Sequence, residues 1–502
     1  MKFLNVVRKN AYFDSVTLMG VSKRLLDLPG VEAVSVSMGT EMNKQLLAEG
    51  GFDAETVKDA GPNDLMILCA FDDSCEEDEM LAQVERSMER TDEAHDAADF
   101  RPRTLAEGKR RVDANIAVVS LPGEYAAGEA RKALDGGMHV MLFSDNVSVE
   151  DEAALKELAH AKGLFVMGPD CGTSIIDGVA LCFANKVRRG PVGIVAASGT
   201  GAQEVSVLLD GAGLGTSQLI GTGGRDLSAE VGGRMFLDAL DALEADEGTE
   251  YLLLVSKPPH PSVMPVVAER LARLSKPAVA CFLGATELVG AGSVVLASGL
   301  EDAVAKTAAL AGESFEVLPA LAVPDRPSGT YLRGLFCGGT LMEEAKQVAV
   351  AALGEGVVRS NAAKSGSVAL ADARKSEGHT LLDMGDDVFT RGKPHPMIDP
   401  SVRNARIVEE ARDPETAVIL LDFVLGYGAH EDPAGAAVPA IREARAIAQR
   451  EGRTVAFVAY VLGTDEDPQG KAAQRALLEG EGVHVCQTNA QAARLAVSMV
   501  KE

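Results

Sequence analysis

An apolar run, Val192–Ala196, ends in Ser198-Gly199-Thr200-Gly201 and passes straight into a helical pattern beginning Ala202-Gln203-Glu204. Unpaired N–H groups at a helix start, together with the macrodipole, favour an anion, and glycines let a phosphate approach the backbone. Ser198, Gly199, Thr200 and Gly201 are therefore a candidate phosphate cradle, or else a Ser cap on a tight turn. Leu219–Asp226 (LIGTGGRD) repeats the pattern with Thr222, Gly223 and Gly224. Its Arg225 either grips an anion or pairs with a nearby acid. Phe336–Glu344 (FCGGTLMEE) repeats it again with Gly338, Gly339 and Thr340, and places Glu343 and Glu344 in the expected first helical turn. Acids there suit the dipole, and capping alone would also account for that segment.

The densest constellation is Asp383–Pro400, DMGDDVFTRGKPHPMIDP, where Arg391, Lys393 and His395 fall within five residues on a proline-stiffened loop. Arg391 could clamp a carboxylate or phosphate bidentately, with Lys393 as a point charge. His395 could donate a hydrogen bond or transfer a proton near neutral pH. Ion pairing with Asp386 and Asp387 is the competing reading. LLDFVLGYGAHEDP sets Asp422, His430, Glu431 and Asp432 at and after another apolar run, without a zinc spacing. Carboxylates sharing a magnesium ion with a substrate phosphate would be compatible with it. Asp465 and Asp467 follow a further run in LGTDEDPQ. The chain has no GxxxxGK[ST], no GxGxxG at a strand-to-helix turn and no GxSxG, so no P-loop, standard dinucleotide site or nucleophile elbow is expected.

What must position these loops is a series of short buried strands alternating with amphipathic helices, the pattern of parallel-sheet α/β proteins. The predicted strands are Ala33–Met38, Leu65–Phe71, Ala114–Leu121, His139–Ser144, Leu164–Met167, Val192–Ala196, Tyr251–Ser256 and Ala278–Leu283. They continue with Gly334–Phe336, Thr380–Met384, Ala417–Val424 and Thr454–Leu462. Loops of such sheets gather at the carboxyl ends of the strands, where ligands bind. Four parts are expected: residues 1–95, a small α+β domain with an acidic helix start at Asp72–Glu79; 96–190, a Rossmann-like unit; 191–325, a flavodoxin-like unit; and 326–502, a second one. The Pro-rich connector Leu318–Gly329 marks the last boundary, and Gly354–Gly378 reads as a surface insertion or mobile loop.

The 502 residues carry a net charge of −26, which disfavours nucleic acid and anionic lipid as partners. Hydrophobic residues at 46% make the chain globular rather than disordered, and aromatics at 4% with no Trp disfavour stacking platforms. Seven cysteines without a CxxC pair read as reduced thiols. With no secretory h-region and no membrane-length apolar run, a cytoplasmic location is expected.

From Asn115 to Ala285 the order of LPGEY, HVMLFSD, MGPDCGTSIIDG, VGIVAASGTGAQE and LIGTGGRD resembles the α subunit of succinyl-CoA synthetase. End to end the chain is similar to the FdrA proteins, a paralogous branch. The hallmarks are KNAYFDSVTLM, VSMGTEMNK, FTRGKPHPMIDP, VLGYGAHEDP and GTDEDPQ. The resemblance implies several Rossmann-like and flavodoxin-like parallel-sheet domains of the synthetase type. It also implies a subunit of an oxamate carbamoyltransferase complex in anaerobic allantoin or purine degradation. That reaction joins carbamoyl phosphate and oxamate, two small anions, to oxalurate and phosphate, or runs in reverse, with separate protein subunits. SGTG and GGT would be phosphate cradles, Arg391 and Lys393 the anion clamp, and His395 or His430 the handler of the amide proton. CoA or a nucleotide is a possible ligand by resemblance alone.

Two departures separate the chain from the synthetases. Their phosphorylated-histidine loop corresponds here to FLGATELVGAGSV, which has no histidine, and the acidic partner segment to SKPPHPS, where the Pro-Pro-His-Pro setting of His260 does not match. Their CoA-wrapping glycine loop is not recognisable. The alternatives to carbamoyl transfer are an NDP-forming acyl-CoA synthetase subunit and a CoA- or metabolite-binding scaffold without catalysis.

Overall fold

The computed structural model describes residues 104–500 except 286, 320–326, 365 and 392. Before them it describes 2–9, 11, 13, 15–26, 28, 30–40, 43–44, 47, 52, 57–72, 80–84, 86 and 102. The acidic stretch 73–79 and most of the Pro-rich connector therefore lie outside the described residues. The chain divides into two compact units, Met1–Asp113 and Ala114–Glu502.

In the first unit β1 (Lys2–Arg8) and β2 (Val31–Met38) flank β3 (Leu65–Phe71), both antiparallel to it. The middle strand, LMILCAF, is buried at every position. Leu18, Val21 and Leu25 of α1 (Ser15–Leu26) pack on it with Ile67, Cys69 and Phe71. A further helix, α2 (Leu105–Val112), is capped by Thr104, whose hydroxyl accepts from Glu107 N–H at 3.2 Å.

The second unit opens with a parallel sheet of β4 (Ile116–Val119), β5 (His139–Leu142) and β6 (Val166–Met167). Between its strands run α3 (Gly123–Asp135) and α4 (Val149–Lys162). Ser148 caps α4 by accepting from Asp151 N–H at 3.1 Å.

A hairpin of β7 (Thr173–Ile176) and β8 (Val179–Cys182) then joins the next sheet, although it precedes the boundary expected at residue 190. That sheet adds β9 (Arg189–Ala196), α5 (Gly199–Gly211), β10 (Thr216–Gly221), α6 (Arg234–Ala245), β11 (Tyr251–Ser256), α7 (Met264–Leu271), β12 (Ala278–Phe282), β13 (Val295–Leu296) and α8 (Leu300–Leu310). Its order is β13-β12-β11-β9-β10-β7-β8, parallel from β13 to β10.

The last sheet is wholly parallel and uses β14 (Tyr331–Phe336), α9 (Gly339–Leu353), β15 (Val358–Ser360), β16 (Val368–Ala369), β17 (His379–Asp383), α10 (Asp387–Thr390), α11 (Ser401–Arg412), β18 (Thr416–Val424), α12 (Pro433–Arg450), β19 (Ala456–Leu462), α13 (Lys471–Gly480), β20 (His484–Cys486) and α14 (Asn489–Val500). Its order is β16-β15-β17-β14-β18-β19-β20. Continuous apolar runs such as TAVILLDFV of β18 are what a sheet covered on both faces requires, and all of β18 is buried. The Gly354–Gly378 segment, expected as a loop, instead supplies β15 and β16 on the sheet edge; both are too short to show a period.

One hydrophobic core joins the two seven-stranded sheets. It contains Val205 and Leu209 of α5, Leu300 and Val304 of α8, Leu341 and Ala345 of α9, and Leu495 and Ala496 of α14. These four helices are a shared layer, so the glycine junctions that open α5 and α9 must come close together. No described helix is long and apolar enough to cross a membrane.

Candidate functional site

The starts of α5 and α9 meet. Ser198 Oγ and Thr340 Oγ1 lie 2.6 Å apart, and Gly338 lies so near Thr200 that a Cβ on the glycine would sit 2.9 Å from its hydroxyl oxygen. Ser198 also caps its own helix, accepting from Gly201 N–H at 3.1 Å. Asp422, at the far end of β18, takes the N–H groups of Cys337 and Gly338 at 2.7 and 2.8 Å. The N–H groups of Gly199, Thr200, Gly339 and Thr340 are among the donors at these two helix starts that have no acceptor among the described residues. Two helix N-termini aimed into one place make a region of positive potential in an acidic protein.

Titratable groups surround this junction. Asp383 closes β17, its Oδ1 accepting from Gly385 N–H at 3.0 Å and its Oδ2 standing where a Cβ on Gly339 would be. Burial, abetted by Asp386 and Asp422 and opposed by Gly385 N–H and Lys257, lifts this carboxyl to about 7. Asp170, in the loop after β6, rises to about 6 through burial and the nearby Asp145; Arg225 opposes the rise and Asp387 adds to it. The two carboxyls remain accessible while protein closes around them.

His395 Nε2 lies against Gly385, and its Nδ1 accepts from Met397 N–H at 3.2 Å. Accepting at Nδ1 leaves the proton on Nε2 in the neutral ring, and burial depresses the imidazole to about 4, so His395 is a neutral donor. The Phe183 ring, wedged between Gly172 and Gly428, lies 6.2 Å from the His395 ring.

The VLGYGAHEDP and GTDEDPQ motifs brace these loops. Asp467 accepts from Asn185 Nδ2 and from the N–H groups of Lys186 and Thr464, each at 2.8 Å, which clips the two large sheets together. Gln469 bonds Gly426 in both directions and the carbonyl of His430 at 3.1 Å. The His430 N–H reaches Met397 O at 2.7 Å, which ties the GYGAH loop to the PHP loop. His430 Nδ1 accepts from Asp432 N–H at 3.0 Å, the same donor tautomer as His395.

Other expected residues do different work. Thr222 is fully buried; its carbonyl accepts from the buried Lys156, which also pairs with Glu152 and Asp226 at 2.7 Å. Gly223 packs on Pro169 O, and Gly224 faces open space. Arg225 takes the paired alternative, with Nε on Glu152 at 3.0 Å and Nη2 on Val147 O at 2.8 Å. Glu343 and Glu344 fall beyond the first turn of α9; Glu343 pairs with Lys346 at 2.7 Å, and Glu344 accepts from Leu300 N–H at 2.8 Å. Arg391 and Lys393 are exposed and enter no ion pair among the described residues, while Asp386 caps α10 at Val388 N–H, 3.0 Å away. Among the described residues no group of His, Cys, Asp and Glu could hold a metal ion.

The position of Asn361 on the segment expected to be a loop had no sequence signal. Its Nδ2 donates to Asp383 O at 2.9 Å and its Oδ1 accepts from Asp383 N–H at 3.0 Å.

In sequence, these glycine-opened parallel-sheet domains are similar to CoA ligases. A CoA-ligase family model matches residues 335–499, and a model for the AllF heavy metal-associated domain matches 1–102. The α subunit 2 of an ADP-forming succinate–CoA ligase of Archaeoglobus fulgidus is 28% identical over 41% of this chain and 73% of its own. The chain belongs to the FdrA family: it is 47% identical to the protein YahF of Escherichia coli over 98% of this chain and 97% of that one. A solved acetyl-CoA synthetase of Ca. Korarchaeum cryptofilum aligns over 77% of this chain and 82% of its own, at 16% identity and a TM-score of 0.33.

Proposed function

We propose that the chain is the anion-binding subunit of a cytoplasmic oxamate carbamoyltransferase complex, joining carbamoyl phosphate and oxamate to oxalurate and phosphate in allantoin breakdown. The observation that carries this reading is the meeting of the α5 and α9 N-termini beside the neutral His395, in a chain whose loop after β12 has no histidine. Carbamoyl transfer needs no phosphohistidine. It needs donors for a phosphate, a donor for the carbamoyl oxygen, an anchor for a carboxylate and a route for one proton. The free N–H groups of Gly199, Thr200, Gly339 and Thr340 suit the phosphate, with Ser198 and Gly201 shaping the turn. His395 Nε2–H suits the carbamoyl oxygen, and Arg391 and Lys393, exposed and without an ion pair among the described residues, suit the oxamate carboxylate. Membership of the FdrA family and the AllF model match at the N-terminus support the same assignment.

The deciding experiment is phosphate release from carbamoyl phosphate, with and without oxamate, by the native complex purified through this chain. Oxamate-dependent release with oxalurate formed is expected; an intact complex that releases none discards the reading. The CoA-ligase model match favours a second reading, an NDP-forming acyl-CoA synthetase subunit, which would reveal itself by labelling of the chain from ATP.

A further inference from the structure

Asp383 stands at the junction with both its main chain and its carboxyl held by neighbours. Asn361 pins its main chain from both sides, at 2.9 and 3.0 Å. Gly339, the first residue of α9, leaves room for its carboxyl, and Gly385 gives Oδ1 a hydrogen bond at 3.0 Å while supporting His395. Lys257, beyond β11, is the cation acting on it; Asp386 and Asp422 are the anions, and the Cys337 thiol, on the strand-end loop after β14, also feels its charge. A carboxyl held at the start of α9, with a histidine donor and a lysine nearby, is placed to exchange a proton with a bound substrate.

We propose that Asp383 is the proton-transfer group of this centre and that Asn361 is its positioning residue. The proposal rests on the carbamoyl-transfer reading above. In the forward step the oxamate amide nitrogen attacks the carbamoyl carbon, and the new C–N bond forms. The C–O bond to the phosphate breaks, and its electron pair leaves with the phosphate. The proton shed by the nitrogen passes to the Asp383 carboxylate and from there to the departing phosphate. A carboxyl lifted to about 7 both accepts and releases a proton readily at neutral pH.

The test uses the native complex with the full chain. D383N keeps the shape and the acceptor for Gly385 N–H; its oxamate-dependent phosphate release should fall about 10²-fold or more. The wild-type kcat/KM should rise with pH through a limb near 7, and D383N should lack that limb. N361A should lose rate while keeping a displaced limb. In the wild-type complex, carbodiimide with glycine methyl ester should label Asp383 in step with loss of turnover, and carbamoyl phosphate should protect it. This last measurement needs no variant to fold. A wild-type complex without oxamate-dependent release overturns the reaction assignment and this role with it. An active wild type beside a D383N that keeps its rate and its limb, or labelling that spares Asp383, overturns the role alone.

Discussion

Glu204 and Glu344 occupy matching places in the SGTGAQE and GGTLMEE segments, and each accepts from the first N–H of the other half's last helix. Asn489 N–H reaches Glu204 Oε1 at 3.5 Å, and Leu300 N–H reaches Glu344 Oε1 at 2.8 Å. With the Ser198–Thr340 and Thr200–Gly338 contacts, this makes the two ligase-like halves a pseudo-two-fold pair whose axis passes between the glycine junctions. The symmetry brings two helix dipoles to one point, which a single flavodoxin-like unit cannot do.

The carboxyl pair makes that interface sensitive to alkali. Burial, reinforced by Glu344, lifts Glu204 to about 8 from an ordinary 4.5, and Glu344 is raised by burial as well. A carboxyl raised in the folded state stabilises fully below its unfolded value, and the contribution is lost as pH rises through the folded one. E204Q should therefore match wild type in urea melts at pH 5 and exceed it by about 1–3 kcal/mol at pH 9. Equal stabilities at both pH values would show that the pair does not titrate with folding.

The approach of α5 and α9 depends on a missing side chain. A Cβ on Gly338 would meet Thr200 Cγ2 and Oγ1 at 2.9 Å, tighter than ordinary contact. G338A should cost about 1–3 kcal/mol by overpacking, and T200A in the same chain should recover most of it. Additive losses in the double-mutant cycle would separate the two residues.

Asp422, which holds the start of α9, is raised by burial, and Arg403 opposes that rise. Both are fully buried, Arg403 Nη1 lies 3.4 Å from Asp422 Oδ1 and 2.9 Å from Cys337 Sγ, and its guanidinium stacks 4.7 Å from the Phe423 ring. Removing one partner leaves a buried charge, so R403M should destabilise by about 3–5 kcal/mol. Adding D422N should restore part of the loss, a result that chemical denaturation reads directly.

What could be read from the sequence follows the physics of each signal. Strands such as β11 and β18 announce themselves because a sheet covered on both faces needs unbroken apolar runs. The β7–β8 hairpin and the edge strands β15 and β16 are too short to show a period, so the Gly354–Gly378 segment passed for a loop. The SGTG and GGT junctions were visible locally, but their meeting at 2.6 Å is a tertiary fact. The same holds for Asp383 and Asn361, whose pairing spans 22 positions of unremarkable sequence. Charge density pointed to Arg391 and Lys393, and the structure leaves both exposed and without an ion pair to Asp386 or Asp387 among the described residues. It could not foresee that Glu344 would leave its own helix to cap another.

His395 provides the sharpest separation of a donor from a base. A Met397 N–H on Nδ1 fixes the neutral tautomer with the proton on Nε2, and burial keeps the ring neutral down to about 4. A histidine whose folded pKa is depressed resists protonation, so acidification towards 4 should destabilise the wild type more than H395Q. At neutral pH, H395Q should slow oxamate-dependent phosphate release by about 10–100-fold through loss of one oriented donor. It should leave the pH limb near 7 in place, because that limb belongs to Asp383. Nitrogen NMR of the labelled chain should find the His395 ring protonated at Nε2 alone between pH 6 and 8. A ring that takes up its second proton near 6.5 would return His395 to the role of a base and assign the limb to it.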